Sequence, residues 1–259
     1  RPLKMLEIEF LGTGTSTGVP QINCHCEVCS STDTRDNRLR TSAIVRYKGK
    51  KLLIDCGPDF RTQMLRASDS DIDALLVTHI HYDHVGGIDD LRAYCKGGHR
   101  FPVYARRDVL DDIRRRMPYC FQEHLYPGVP TFNLHEVGEE PFVAEGISVQ
   151  PIPVWHYKMR INGYRIGPLA YITDCKTIEP EQVEKLRGVP LLVINALRIE
   201  PHMSHMSLSE ALAVIDRIKP GRALLTHMSH GIGLHAQVSR MLPAGVQLAH
   251  DRLIVQVPD

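Results

Sequence analysis

At 259 residues, with 43% hydrophobic residues and a formal net charge of +1, the chain is long enough for one large domain with a substantial core. That balance argues against a nonspecific nucleic-acid partner, and no apolar run approaches the roughly 20 residues a membrane span needs. Seven cysteines, three of them crowded into one short loop, fit metal binding in a reducing compartment better than a disulfide framework, so a cytoplasmic enzyme is expected. The first residues lack the apolar stretch of a signal peptide and lead straight into a strand. Alternation and β-branched content predict strands over 6–11, 42–47 and 51–55, then a helix over 59–66 and a strand over 74–78. Residues 91–94 read as helical, 103–104 as extended and 108–115 as helical again. A second strand-rich stretch runs from 131 to 154 and from 164 to 173. The last third alternates: helix 179–186, strand 191–195, helix 208–218, strand 223–226, helix 235–242, strand 253–257. The same order of strand-rich and helix-strand portions occurs twice, with no Gly/Ser linker between them. This predicts one domain over 1–259, α/β in class (α+β in some schemes), with two sheets face to face and helices on both outer faces.

The run His79-Ile80-His81-Tyr82-Asp83-His84 packs four metal-binding side chains into six residues, between an apolar strand and Gly86-Gly87. Three imidazoles and a carboxylate on such a loop suit two adjacent cations. Further ionisable residues close apolar runs in the second half: His156 after 149–154, Asp174 after 169–173 and His227 after 223–226. Strand ends are where α/β enzymes place site residues, and zinc and manganese both accept this donor mixture. A second constellation is Cys24-His25-Cys26-Glu27-Val28-Cys29, in a loop at about 20–32, with His230 three residues beyond His227. Three sulfurs and one nitrogen make the closed shell of a structural zinc, with either His230 or His25 as the nitrogen donor. The basic runs Arg106-Arg107 and Arg114-Arg115-Arg116 read as a solvated helix face. Tyr157, Lys158, Arg160 and Arg198 are candidate phosphate contacts.

The His-x-His-x-Asp-His motif of 79–84, the opening Phe10-Leu11-Gly12-Thr13-Gly14, the Ile54-Asp55-Cys56-Gly57 turn and the later His156, Asp174 and His227 resemble the metallo-β-lactamase superfamily over essentially the whole chain. The resemblance implies a four-layer αββα sandwich with two divalent ions at one edge. On that pattern His79, His81 and His156 hold the first ion, Asp83, His84 and His227 the second, and Asp174 bridges them. Flavodiiron oxidoreductases share the fold but typically carry glutamate where His81 stands, so hydrolysis is expected rather than redox chemistry. The Cys-x-Cys-x-x-Cys loop and the segment Thr226-His227-Met228-Ser229-His230 are similar to the PhnP-type phosphodiesterases of the carbon–phosphorus lyase pathway. That family implies a small cyclic phosphodiester substrate, with His205 (His202 its rival) as catalytic acid or phosphate contact; chemically, Asp83 is also placed to orient a metal-bound hydroxide as well as to bind metal. Residues 194–198 depart from the family's pattern. Other readings are a tRNase Z-like RNA phosphodiesterase, a glyoxalase II-like thioester hydrolase, or a metal-dependent binding protein without turnover. The sequence leaves a homodimer open.

Overall fold

A computed structural model describes residues 4–259; residues 1–3 lie outside the description. The chain first lays down β1 (Met5–Gly12), β2 (Ser42–Tyr47), β3 (Lys50–Ile54), β4 (Ala74–Leu76), β5 (Phe101–Ala105) and β6 (Phe132–Glu136). It then builds β7 (Phe142–Ala144), β8 (Ile147–His156), β9 (Met159–Ile166), β10 (Leu169–Tyr171), β11 (Leu191–Asn195), β12 (Arg222–Thr226) and β13 (Val246–Leu248), before β14 (Ile254–Pro258) returns to pair with β1. Two seven-stranded sheets result, ordered β14-β1-β2-β3-β4-β5-β6 and β13-β12-β11-β10-β9-β8-β7. Each sheet begins as antiparallel hairpins and continues as parallel strands, so the repeat seen in the sequence is a repeat of sheets.

The period of two in each strand decides which layer a side chain joins. On β2, Ala43, Val45 and Tyr47 point between the sheets, while Ile44 points outward; on β11, Leu191 and Val193 point in and Leu192 and Ile194 out. Strands this apolar on both faces need cover on both sides. Helices α1 (Phe60–Arg66) and α3 (Arg107–Arg116) cover the first sheet through Phe60, Met64, Val109, Leu110 and Ile113. Helices α4 (Pro180–Leu186) and α5 (Leu208–Ile218) cover the second through Val183, Leu186 and the α5 stripe Leu208, Ala211, Val214, Ile215 and Ile218. That stripe has helical spacing, and each of its branched side chains contributes about 1.5–3 kcal/mol on burial. The arrangement is the expected four-layer αββα sandwich.

Local boundaries differ from the sequence reading where short-range chemistry intervenes. The helix at 91–94 is the end of a longer 3-10 segment, Ile88–Tyr94. The histidine loop is partly helical: α2 (Tyr82–Val85) carries Asp83 and His84 on one turn. The helix expected over 235–242 is the shorter α6 (His235–Ser239), and His156 is the last residue of β8 rather than a residue beyond it. Among the described residues no helix is long and apolar enough to cross a membrane. On α3, Arg114 pairs with Asp111 and both Arg115 and Arg116 pair with Asp112, which makes that basic run a solvated helix face.

Candidate metal centre

The ends of β4, β8, β10 and β12 meet at one rim of the sandwich, and the sequence-predicted residues converge there. Ligand atoms of His79, His81, His156 and Asp174 form one group, and those of Asp83, His84, Asp174 and His227 form another, each with its members within 4.8 Å of one another. Asp174 belongs to both because its two oxygens face opposite ways. Its Oδ2 lies 3.5 Å from His79 Nε2 and 4.0 Å from His156 Nε2, and its Oδ1 lies 3.1 Å from His84 Nε2 and 3.2 Å from His227 Nε2. Asp83 Oδ2 stands 3.1 Å from His84 Nε2 and 3.5 Å from His227 Nε2.

The outward ring nitrogens are set by partners behind the rim. His156 Nδ1–H donates to the Ser204 carbonyl at 2.8 Å, which frees Nε2 for the centre. Asp55, in the turn Ile54-Asp55-Cys56-Gly57, organises the rear of the site. Its Oδ2 accepts from His84 Nδ1 and from the Thr78 hydroxyl, both at 2.7 Å, and its Oδ1 accepts from Thr78 N at 2.7 Å. The Thr78 oxygen in turn lies 2.9 Å from His79 Nδ1, so one buried carboxylate orients imidazoles of both groups. A carboxylate directly after an apolar strand was the available signal, but its partner His84 lies 29 residues away.

Backbone strain accompanies this convergence. Asp55, Asp174 and His227 have φ of +60°, +60° and +56°, the left-handed region that costs a non-glycine residue about 1–3 kcal/mol. Each stands just beyond a strand, where the chain turns sharply to aim its side chain along the rim. Glycine would relieve the strain and remove the carboxylate or imidazole that the site uses. Close approach explains glycine at Gly57, where a Cβ would lie 2.1 Å from the Asp83 carbonyl oxygen. Asn195, in the segment that departs from the PhnP-type pattern, is buried and clamps the turn after Asp174. Its side chain accepts from Cys175 N at 2.9 Å and donates to Cys175 O at 2.8 Å.

Charge and burial oppose each other here. Burial, with His84 adding to it, holds His79 below its ordinary range; burial and His79 do the same to His81, and burial lowers His156 against the pull of Asp174. His84 goes the other way: burial is outweighed by the carboxylates of Asp174, Asp83 and Asp55, and its proton is held far more tightly than usual. Asp174 and Asp83, although buried, are pulled well below the usual carboxylate range by the facing imidazoles. The ring therefore sets ionised carboxylates among imidazoles whose Nε2 atoms on His84 and His227 are buried without a hydrogen-bond partner. Native structures rarely bury such atoms unsatisfied, and a divalent cation in each group suits the histidine-carboxylate donor set.

His205 and His202 separate clearly. The His205 ring lies 4.6 Å from that of His156 and 4.9 Å from that of His227, and its Nδ1 is 4.0 Å from Asp174 Oδ2 with no hydrogen-bond partner. His202 instead takes Ser204 N on its Nδ1 at 3.1 Å and stands behind His205. The His205 segment is fixed by the N-terminus of α5, where Ser207 and Glu210 make a reciprocal capping box. Of the candidate phosphate contacts, Arg160 is engaged with Glu139, Glu179 and the Trp155 ring, and Arg198 donates to the carbonyls of Glu200 and Pro201. Tyr157 is exposed, with Lys158 over its ring.

The cysteine loop folds back onto the turn after His227. Cys24, Cys26 and Cys29 place their sulfurs 3.3, 3.5 and 3.5 Å from His230 Nδ1. His25 is exposed and outside this group, so His230 is the nitrogen that meets the sulfurs. Backbone bonds tie this region to the rim: Thr15 N donates to Met228 O and Met228 N to Thr13 O.

Residues 50–228 match the beta-lactamase superfamily domain. The chain belongs to the metallo-β-lactamase superfamily. A crystal structure of a diphosphatase from the PhnP family is 40% identical, superposes with a TM-score of 0.91 and covers 98% of each chain. Zinc-bound PqqB from Methylobacterium extorquens, 22% identical with a TM-score of 0.78 over 96% of this chain and 99% of its own, shares the fold. A Porphyromonas gingivalis (strain ATCC BAA-308 / W83) protein named octanoyltransferase is 45% identical over 248 residues, covering 94% of this chain and 50% of that protein. The chain thus spans about half the length of that curated relative, and the name belongs to the whole of it. The matched domain is of the metal-dependent hydrolase type, with both histidine and aspartate clusters intact.

Proposed function

We propose that this hydrolase cleaves small phosphodiesters, cyclic phosphates of the ribose or 2′,3′-nucleotide type in particular. The observation that carries the reading is the placement of His205 Nδ1, unpartnered and 4.0 Å from the same Asp174 oxygen that faces His79 and His156. His79, His81, His156 and Asp174 would hold one zinc or manganese ion, and Asp83, His84, His227 and Asp174 a second. Cations held there supply neutralisation of phosphoryl oxygens and ionisation of water near neutral pH. The three sulfurs with His230 suit a structural zinc.

The chain's own residues supply the rest. Asp83 stays ionised through the working pH range, so its free lone pairs can accept a hydrogen bond from the attacking water and fix its direction. His205 enters neutral, held down to about 3 by burial despite Asp174. A phosphodiester anion beside the ring raises its proton affinity, because an opposite charge favours the imidazolium. Protonated, His205 can give that proton to the leaving oxygen as the P–O bond breaks, which opens a cyclic diester to a monoester alcohol. The buried wall behind His84 and His79 keeps bulk water from the rear of the site.

The similarity to a PhnP-family diphosphatase favours one second reading, cleavage of a phosphoanhydride by the same constellation. A panel of bis-p-nitrophenyl phosphate, 2′,3′-cyclic nucleotides, ribose cyclic phosphate, a dinucleoside diphosphate and a thioester, each with manganese or zinc, tests both. Turnover of the cyclic diesters is expected. Cleavage of the diphosphate alone transfers the assignment to the second reading, and cleavage of the thioester alone overturns both.

A further inference from the structure

Between the two stems of the cysteine loop and the segment before β14 lies a cavity of about 640 Å3, lined by Arg35, Arg38, Arg66, His250, Asp251 and Arg252 among others. Four arginines line it, with Asp251 as the one lining carboxylate. Asp251 is already committed: it accepts from the Thr13 hydroxyl and from Leu39 N, both at 2.7 Å. Arg35 is neutralised by Asp33 outside the lining. The other three arginines make no direct ion pair among the described residues. Arg38 is 3% exposed, yet its guanidinium bonds only neutral groups: the Thr13 hydroxyl at 2.9 Å, the Ala249 carbonyl at 2.7 Å and His235 Nδ1 at 3.2 Å. Burial and Arg38 itself hold His235 down to about 4, so that ring is neutral and accepts. Burial lowers Arg38 only to about 10, and it stays charged. Among the described residues no carboxylate lies within 4.0 Å of Arg38, Arg66 or Arg252. Asp251, Asp36 and Asp33 support the Arg38 charge only through space, Asp251 by way of the Thr13 hydroxyl, and arginine is the residue whose planar donors best match a phosphate.

We propose that this cavity is a binding site for a phosphate group, either free or on the end of a small monoester, separate from the metal centre. The ligand's oxygens would take the donors of Arg66 and Arg252 at the mouth, with the charge of Arg38 behind them adding to the attraction. The cavity wall is continuous with both metal regions: Gly14 N donates to Leu39 O, Thr13 and Thr15 bond Met228 next to His227, and Val19 pairs with Arg38 at the base of the cysteine loop. Occupancy would brace the turn that carries His227 and the loop that carries the thiols.

Equilibrium dialysis of labelled inorganic phosphate against the metal-loaded protein tests this without reference to catalysis. Arg66 and Arg252 are exposed, so the double variant Arg66→Ala/Arg252→Ala keeps fold and metal content. The wild type is expected to bind one phosphate per chain more than the variant, whose affinity at that site falls about tenfold or more, one lost charge-assisted pair being worth at least that factor. Competition by AMP for that phosphate marks a monoester as the source of the group; competition by unlabelled phosphate alone marks the free ion. Identical binding isotherms for wild type and variant, at equal metal content, overturn the proposal.

Discussion

Asp55→Asn isolates the orientation of the metal-facing imidazoles from their identity. The native carboxylate is fully buried and takes three donors: Thr78 N on Oδ1, and the Thr78 hydroxyl and His84 Nδ1 on Oδ2. An asparagine of the same shape can keep one oxygen. Its amide nitrogen then confronts the donors of the other side. The Thr78 hydroxyl can rotate, whereas His84 must move its proton to Nε2, which points between Asp83 and Asp174 at 3.1 Å from each. That proton occupies the lone pair a cation needs. Loss of such an outer partner typically costs 10–100-fold in metal affinity, about 1.4–2.7 kcal/mol. A buried donor left unmatched adds about 1–3 kcal/mol of lost stability. Competition with a chromophoric chelator should show the site containing Asp83, His84 and His227 weakened by that factor, with the site containing His81 and His156 changed far less, and thermal denaturation should show a lowered Tm. Wild-type affinity at both sites would refute the argument that Asp55 sets the His84 tautomer.

His205→Ala should keep full metal content and lose most diesterase turnover; unchanged kcat removes His205 from the mechanism. Cys26→Ala should lower zinc stoichiometry and Tm together, whereas a fall in activity alone would make the thiol loop catalytic. In metal-free protein the Cys29 N–H, donating to the Cys26 sulfur, outweighs burial and leads a shift of that thiol to about 6, while burial pushes Cys29 up to about 11. Alkylation, read by peptide mass, should therefore rise through pH 6 and reach Cys26 first at pH 7, and added zinc should block it; equal labelling of the three cysteines at pH 7 contradicts the assignment. Gly57→Ala places a methyl 2.1 Å from the Asp83 carbonyl oxygen, so elemental analysis should show metal lost from the Asp83 site, with a several-degree fall in Tm. An unaltered metal content would mean the backbone yields there without moving Asp83.

Much of the fold was legible because the strands are apolar on both faces and occur in two equivalent sets. The period of two sorts β2, β3, β11 and β12 into inner and outer layers, and the spacing of α5 leaves it one face to bury. The candidate metal-binding side chains were legible for a chemical reason: histidine and aspartate after apolar runs have little other use in such density. Boundaries were less legible where capping and 3-10 turns act, as in α2 and in α6, because single hydrogen bonds decide them.

Residue types and spacing along the chain were enough to single out the candidate metal-binding side chains and to show that two sheets enclose a core, since both follow from local pattern. Pairing over long separations was beyond them. That Asp174 turns one oxygen to each group, that Asp55 sits behind His84, that His230 rather than His25 meets the three sulfurs, and that His205 rather than His202 reaches the rim all depend on strand ends brought together across the sandwich. Such contacts join residues up to about 200 positions apart, as in the 206-residue separation of Cys24 and His230, and no local propensity records them. The packing of the two sheets puts those ends on one rim.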